Sequence, residues 1–202
     1  VLLVGVAPLG RAHLLPGPTP RALVGTEVLG EVMRLLRWPG SAPRPMGFFV
    51  YGSLRPDDDA GHAWTGGFQK GMRARRAVVR HARMFEDTYA SVVLGPGALR
   101  GDFAEADAAY ADAAVSLADS VVGYVLSCEG GATEAGFMQK LAEADRIECF
   151  PTLYKRAEVD AEPSDGGPPM RVYIYHRPDC CRSRPVPNGD WLARKRRARC
   201  GR

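Results

Sequence analysis

The chain has 202 residues, of which 46% are hydrophobic and 25% are charged, and its formal net charge is +4. A chain of this length buries one sizeable core but not two, so we expect a single folded domain. No apolar run reaches the about 18 residues that a membrane-spanning helix requires, and the apolar start VLLVGVAPLG is only about half that length. We therefore expect no membrane partner.

The positive charge lies at the two ends of the chain. Residues 194–202 hold six basic groups and no acidic group, and residues 1–45 hold five basic and two acidic groups. The intervening residues 46–193 hold 16 basic and 21 acidic groups, so the body of the protein is acidic. A basic tail can contact RNA, anionic lipid or an import receptor, or it can be a solvated end. Because the body has no stripe of interleaved aromatic and basic residues, we expect no nucleic-acid partner.

Cysteine and histidine usage argues against disulfides and metal sites. The five cysteines are odd in number and show no C-x-x-C spacing, which speaks against a disulfide framework and against a structural zinc site. The four histidines, at positions 13, 62, 81 and 176, show no metal-ligand spacing. We therefore expect a protein of a reducing compartment, the cytoplasm, that binds no metal.

Residues 1–45 differ in composition from the rest of the chain. They are rich in proline and glycine, with one helix-like piece, TEVLGEVMRLLRW. We interpret them as a poorly ordered N-terminal extension, a leader or translated upstream sequence. The folded domain is expected at residues 46–192, with a basic C-terminal tail at residues 193–202.

The first predicted element of the domain is a buried strand that stops abruptly. Residues 48–51, FFVY, form an apolar run, and Gly52 and Ser53 end it at a turn. Amides in such a turn have no strand partner and can hold an anion. A core strand followed by an ordinary tight turn has the same pattern. Since neither a Walker lysine nor a G-x-G-x-x-G pattern follows, a nucleotide-binding loop is disfavoured.

Five further segments are short, rich in valine and tyrosine and mostly alternating in polarity, which predicts strands at residues 75–85, 90–95, 120–128, 154–162 and 170–177. Between them, the Ala- and Asp-rich residues 104–119 fit either a surface helix or a mobile insertion. Strands and helices do not alternate regularly. The pattern therefore favours an α+β fold with few helices, in which a small mixed, partly antiparallel sheet forms a partly closed β-barrel.

One segment, residues 133–148, has the features of a stable helix. Thr133 can cap its N-terminus, and apolar residues recur at helical spacing, at Phe137, Leu141, Ala144 and Ile147. The pattern ends where Pro151 breaks it.

Two carboxyl groups lie on one face at the end of this helix, Asp145 and Glu148. Because a helix C-terminus disfavours negative charge, either group can have a raised pKa. The alternative is that Asp145 is solvated and that Glu148 pairs with Arg146 or Lys155. The spacing alone does not decide between these interpretations.

Three motifs lie in a recognisable order: FFVYGSLR at 48–55, DRIECFPTLYKRAEV at 145–159 and VPNGDW at 186–191. They resemble the gamma-glutamylcyclotransferase-like superfamily, whose pattern is a strand running into Tyr-Gly-Ser/Thr-Leu, then Leu-Asp-x-x-Glu-Gly with Tyr-x-Arg, then Gly-Asp-Trp. Within it, the motifs are most similar to the gamma-glutamylamine cyclotransferase and avirulence-induced-gene-like branch. Two positions depart from the pattern, because Ala144 replaces a leucine and Cys149 replaces a glycine.

The resemblance implies a reaction and a site. The reaction is release of 5-oxoproline from a gamma-glutamyl amine, with Glu148 as general acid and base. The positions that match the family's substrate-binding residues are Tyr51, Gly52, Ser53, Leu54 and Tyr154. The resemblance further implies a small-molecule gamma-glutamyl substrate, no metal or organic cofactor, and a monomer or weak homodimer.

Other polar and aromatic residues near these motifs are expected to play supporting parts. We expect Asp145 either to hold site residues in position without contacting the substrate or to cap the helix. We expect Asp190 and Trp191 to fasten the end of the domain. His62 is expected at the surface or at the mouth of the pocket, and Cys149 is expected to be a buried, inert thiol.

Two alternatives stay open at this point. The same fold can act on gamma-glutamyl amino acids, since the sequence does not show the pocket wall that selects the leaving group. A non-catalytic small-molecule-binding or stress-response module would keep the pocket without turnover. The intact Glu148 and the Tyr51–Leu54 loop argue against the second alternative.

Overall fold

The structure is a computed structural model, and it describes residues 44–59, 62–100, 115–129, 133–179 and 184–193. The predicted extension at residues 1–45 lies outside the described residues except for its last two. The same holds for most of the segment predicted at residues 104–119, and for the basic tail beyond Ala193.

Nine strands and two helices form the described part of the chain. The strands are β1 Gly47–Val50, β2 Met72–Arg80, β3 Ala82–Glu86, β4 Ala90–Leu94, β5 Leu99–Arg100, β6 Ser120–Cys128, β7 Lys155–Pro163, β8 Met170–His176 and β9 Arg184–Pro185. The helices are α1 Ala63–Gln69 and α2 Glu134–Ile147, and a 3-10 turn spans Pro187–Gly189.

Five of the strands close into a small barrel. They pair in the order β2-β6-β1-β8-β7, and β7 pairs back with β2, where Ala77 lies opposite Pro163. Among these pairings β1 runs parallel to β8 and the others are antiparallel. The predicted α+β class with a small mixed barrel is confirmed, and the barrel predicted to be partly closed is closed by the pairing of β7 with β2. Strand β5 extends the sheet beyond β7, and β4-β3-β9 forms a separate three-stranded sheet.

The prediction of one strand over residues 75–85 is wrong, because the chain breaks there into β2 and β3. His81, between the two strands, has a φ of 55°, in the left-handed region that an alternating strand does not adopt. The break directs β3 away from the barrel to pair with β4, where Ala82 lies opposite Leu94. The polarity pattern continues across the break, which is why the sequence reads as one strand.

Helix α2 confirms the predicted helix at residues 133–148. The Thr133 hydroxyl accepts a hydrogen bond from the Gly136 amide at 3.2 Å, and three of the predicted apolar residues, Phe137, Leu141 and Ala144, are buried. Helix α1 was not predicted, because its sequence AWTGGFQ contains two glycines and has one large buried residue, Phe68. Within the described ranges, neither helix has the length and apolar character needed to cross a bilayer.

The alternation of β1 divides the apolar core into two clusters. Phe49 packs into the barrel interior with residues of β2, β6, β7 and β8, whereas Phe48 and Val50 face the opposite side and pack with Phe68 and Phe137 from the two helices. The Phe48 ring stacks on Phe137 with centroids 5.1 Å apart. Strand β1 therefore faces the barrel interior on one side and the two helices on the other.

Candidate active site

A cavity of about 770 Å³ opens where β1 ends. It is bounded by the loop after β1, by the C-terminal end of α2 and by the segment between α2 and β7. All of the site residues predicted from the sequence line this one cavity, namely Tyr51, Gly52, Ser53, Leu54, Glu148 and Tyr154. The fold thus brings together two motifs that lie about half the chain apart.

The loop after β1 presents three consecutive amide groups without partners among the described residues. The amides of Gly52, Ser53 and Leu54 donate to no other described residue, whereas the Gly52 carbonyl accepts from the Arg55 amide at 3.1 Å. The Ser53 carbonyl accepts from Thr65 Oγ1 and the Leu54 carbonyl from Gln69 Nε2, each at 2.9 Å, so α1 fixes the loop through its carbonyl groups. Successive free amides of this kind can bind an anion or a developing oxyanion.

A buried arginine anchors the other end of this loop. Arg55 is 1% exposed, and its guanidinium donates to Asp57 in a two-bond pair and to Asp190 Oδ1 at 2.7 Å. Asp190 also accepts from the Leu192 amide at 3.1 Å. The ion pair therefore ties the loop to the closing segment of the domain, in agreement with the fastening part expected of Asp190.

Glu148 is the residue that directly follows α2. Its amide still donates to the Ala144 carbonyl at 2.9 Å, so the last helical turn sets its position. Its carboxyl group makes no hydrogen bond or ion pair with any described residue, and the pairing with Arg146 or Lys155 that the sequence left open is not formed. The group faces the cavity unpartnered.

Burial raises the pKa of the Glu148 carboxyl to about 7. The side chain keeps some accessible surface because it borders an open cavity, but the surrounding protein excludes most of the water that would solvate its charge. Its position at the C-terminal end of α2 acts in the same direction, because the helix dipole disfavours a negative charge there. A carboxyl group with this pKa can both accept and return a proton near neutral pH.

Asp145, one turn before Glu148, is fully engaged rather than solvated. Arg156 Nη1 donates to both of its carboxylate oxygens at 2.6 Å, and the Tyr175 hydroxyl donates to Oδ1 at 2.6 Å. Burial and this bond to Asp145 raise the pKa of Tyr175. The Tyr175 carbonyl in turn accepts from the Tyr51 hydroxyl at 2.6 Å. Asp145 therefore holds the end of α2 against β7 and β8. Arg156 pairs with Asp145 and not with Glu148.

Two residues near Glu148, Tyr154 and Cys149, differ in burial. Tyr154 is 5% exposed, packs in the core and donates from its hydroxyl to the Ala90 carbonyl at 2.9 Å, so it is at once a core aromatic and part of the cavity wall. The expectation that Cys149 is buried is wrong, because its thiol is exposed at the cavity edge. Cys149 has a φ of 51°, a conformation that suits the glycine usual in the resembled family.

Several lining residues were not predicted as site residues. Trp191 was expected only to fasten the domain, but it also lines the cavity, as do Tyr175, Tyr89, Leu153 and the pair His62 and Trp64. The aromatic residues of this group that lie outside the quoted motifs carry no local signal of a pocket. The closure of the barrel and the position of α1 bring these residues to the cavity. Neither can be predicted in enough detail from the sequence to place a side chain.

Comparison with known proteins finds similar solved structures. No family model matches the sequence, and no curated protein matches it. Among solved structures, PH0828 from Pyrococcus horikoshii, described as uncharacterized, is 12% identical, with a TM-score of 0.48 over 77% of this chain and 97% of its own. YkqA from Bacillus subtilis is 14% identical, with a TM-score of 0.47 over 78% of this chain and 43% of its own.

A third similar structure is an aig2-like protein from Mus musculus, 14% identical, with a TM-score of 0.41 over 67% of this chain and 78% of its own. The small mixed barrel itself is established by the strand pairings of this chain, in which β7 closes on β2.

Proposed function

We propose that this protein is a gamma-glutamyl cyclotransferase that releases 5-oxoproline from gamma-glutamyl amines. The observation that carries the proposal is the unpartnered Glu148 carboxyl, with its pKa raised to about 7, in one cavity with the free amides of the Gly52–Leu54 loop. A proton-transferring group and a set of oxyanion donors are the two parts that an intramolecular aminolysis requires. The motif resemblance to gamma-glutamylcyclotransferases points to the same reaction.

The reaction begins with a proton transfer. An ammonium group cannot attack a carbonyl, so ionised Glu148 removes a proton from the substrate's alpha-ammonium group. The freed nitrogen attacks the gamma-carbonyl carbon of the same substrate and closes a five-membered ring. As the C–N bond to the leaving amine breaks, Glu148 returns the proton to that amine. The ring nitrogen must also lose a second proton to become the lactam N–H, and Glu148 takes this proton and passes it to the released amine, which leaves as an ammonium ion. The products are 5-oxoproline and an amine, and no water is consumed.

The loop after β1 supplies the other half of the chemistry. Negative charge develops on the gamma-carbonyl oxygen when the nitrogen attacks, and the free amides at Gly52, Ser53 and Leu54 can stabilise it, each donor contributing about 3 kcal/mol in comparable sites. Holding the substrate folded with nitrogen near carbonyl adds the proximity effect, worth on the order of 7–11 kcal/mol when the geometry is right. Gly52 suits this loop because a Cβ there would lie 3.2 Å from Ala90 Cβ.

The direct test is 5-oxoproline release by the purified chain from gamma-glutamyl-lysine, gamma-glutamyl-alanine and glutathione. We expect release from at least one of the first two compounds, and the preferred one separates amine from amino-acid leaving groups. Absence of release from every gamma-glutamyl compound tested, with the protein folded as judged by circular dichroism, would contradict the proposal and favour a binding module.

The raised pKa of Glu148 sets the expected pH dependence of this activity. Because the base must be ionised, kcat/KM should rise about tenfold per pH unit below pH 7 and level off above about pH 7. The measurement is kcat/KM for 5-oxoproline release between about pH 4 and 9. A profile that already levels off near pH 4.5, the usual pKa of a glutamate, would show that Glu148 is not the titrating base.

A further inference from the structure

The cavity is larger than the group that the proposed reaction must hold. Its volume of about 770 Å³ lies within the roughly 300–1,000 Å³ of sites that take drug-sized ligands, whereas a gamma-glutamyl group is the size of one amino-acid residue. The Gly52–Leu54 loop and Glu148 account for the part of the lining that the reacting group needs. The remaining space is available to the leaving amine.

Besides the Gly52–Leu54 loop and Glu148, much of the cavity lining is apolar and aromatic. Three of the large apolar side chains that stay exposed in the described ranges line this cavity: Trp64 is 48% exposed, Tyr89 59% and Leu153 39%. An exposed apolar patch at a cavity usually marks a ligand-binding surface, since water contact with such groups is unfavourable.

The cavity lining also contains a stacked aromatic pair. The His62 and Trp64 rings stack with centroids 4.5 Å apart and an interplanar angle of 10°. The pair is held in place, because Thr65, the next residue, donates to the Ser53 carbonyl of the loop at 2.9 Å. Phe68, further along α1, is fully buried against Phe48. The aromatic pair is therefore positioned relative to the loop that would bind the glutamyl group.

The charged residues of the lining do not favour a charged leaving group. Apart from Glu148, which the reaction uses, the charged residues of the lining are Asp58 and Arg146, and their charges are opposite. The apolar surfaces are then the features that distinguish one leaving group from another.

We infer that His62, Trp64, Tyr89 and Leu153 form a leaving-group subsite that selects gamma-glutamyl amides of aromatic amines. This inference rests on the proposed function and specifies its substrate class. An aromatic leaving group would stack on or pack edge-on against the Trp64 and Tyr89 rings, and offset aromatic contacts add to the gain from burial.

The test compares gamma-glutamyl-phenethylamide with gamma-glutamyl-ethylamide, which share the reacting group and differ in the aromatic ring. We expect the wild-type protein to show a kcat/KM for 5-oxoproline release roughly tenfold higher with the phenethylamide. Trp64→Ala should lower kcat/KM for the phenethylamide roughly tenfold more than for the ethylamide. Met138→Ala is the matched control, because Met138 is 42% exposed but lies on α2 outside the cavity lining, and it should change neither value.

Two results would overturn the inference while the proposed function stands: equal kcat/KM for the two amides, or equal losses for both in Trp64→Ala. If neither amide is turned over, calorimetric binding of both amides to Glu148→Gln decides the subsite separately, and the proposed function fails only if gamma-glutamyl-lysine and gamma-glutamyl-alanine are not turned over either. Tighter binding of the phenethylamide that Trp64→Ala abolishes in this background would sustain an aromatic subsite. Equal binding of the two amides, or no binding of either, would overturn it.

Discussion

Glu148→Gln is expected to lower kcat for 5-oxoproline release by about 10²–10⁴-fold, the range that a general acid–base group contributes. Gln has nearly the same shape but cannot take the proton of the substrate ammonium. KM should change little, because the amides of the Gly52–Leu54 loop, which would hold the glutamyl group, are untouched. Steady-state kinetics with the best substrate of the wild-type protein measures both values.

The matched control for this variant is Glu143→Gln on the same helix. Glu143 pairs with Lys140 at 3.1 Å and does not line the cavity, so this change should leave kcat within about twofold, as surface ion pairs contribute little. Equal kcat values for the wild-type protein and Glu148→Gln would show that Glu148 is not the general acid–base group.

Glu148→Gln should also change the free energy of unfolding, in a way that depends on pH. The pKa of Glu148 is about 7 in the folded protein against a usual 4.5, so ionising it disfavours folding by up to about 3 kcal/mol. Below pH 4.5 both folded and unfolded forms are protonated and this cost is absent. It grows between pH 4.5 and 7 and is complete above pH 7. Glu148→Gln should therefore unfold at higher urea concentration than the wild-type protein at pH 8, and the difference should disappear near pH 4.

The barrel could be predicted from sequence because its strands carry strong local patterns. Residues 120–128, SVVGYVLSC, contain three valines and a tyrosine, residues that favour strands, and β6 occupies that range to the residue. Helix α2 likewise has its cap at Thr133 and its buried stripe written in the sequence. The break at His81 was not predictable, because a positive φ at a non-glycine residue depends on where β3 can find a partner.

The site shows the same division between local and distant causes. The motifs locate Glu148 and the loop after Tyr51, but spacing could not show that Glu148 is unpartnered. In the structure Arg156 from β7 and Tyr175 from β8 both bond to Asp145, and Glu148 has no partner among the described residues. Strands β7 and β8, which follow the helix in sequence, therefore provide the partners that distinguish Asp145 from Glu148. The aromatic pair at Trp64 escaped prediction because α1, with two glycines, has no helical pattern.

Arg55→Met is expected to lower the free energy of unfolding by about 3–5 kcal/mol, the usual cost of removing one partner of a buried ion pair. Methionine fills much of the same space but leaves the Asp190 carboxylate, whose side chain is 12% exposed, without its cation. Urea unfolding at pH 7 measures the change. Because the Arg55 amide closes the loop on Gly52 and its guanidinium fixes that loop to Asp190, kcat/KM for 5-oxoproline release should fall as well.

Arg75→Met is the matched control for burial, since Arg75 makes a similar two-bond pair with Asp165 on the surface, where the two side chains are 37% and 58% exposed. Water and salt already solvate and screen that pair, so its loss should cost no more than about 1 kcal/mol. Similar costs for the two variants would mean that Arg55 contributes through packing alone. A large cost confined to Arg55→Met, with reduced kcat/KM, would show that the closing segment of the domain holds the substrate loop in position through a buried charge.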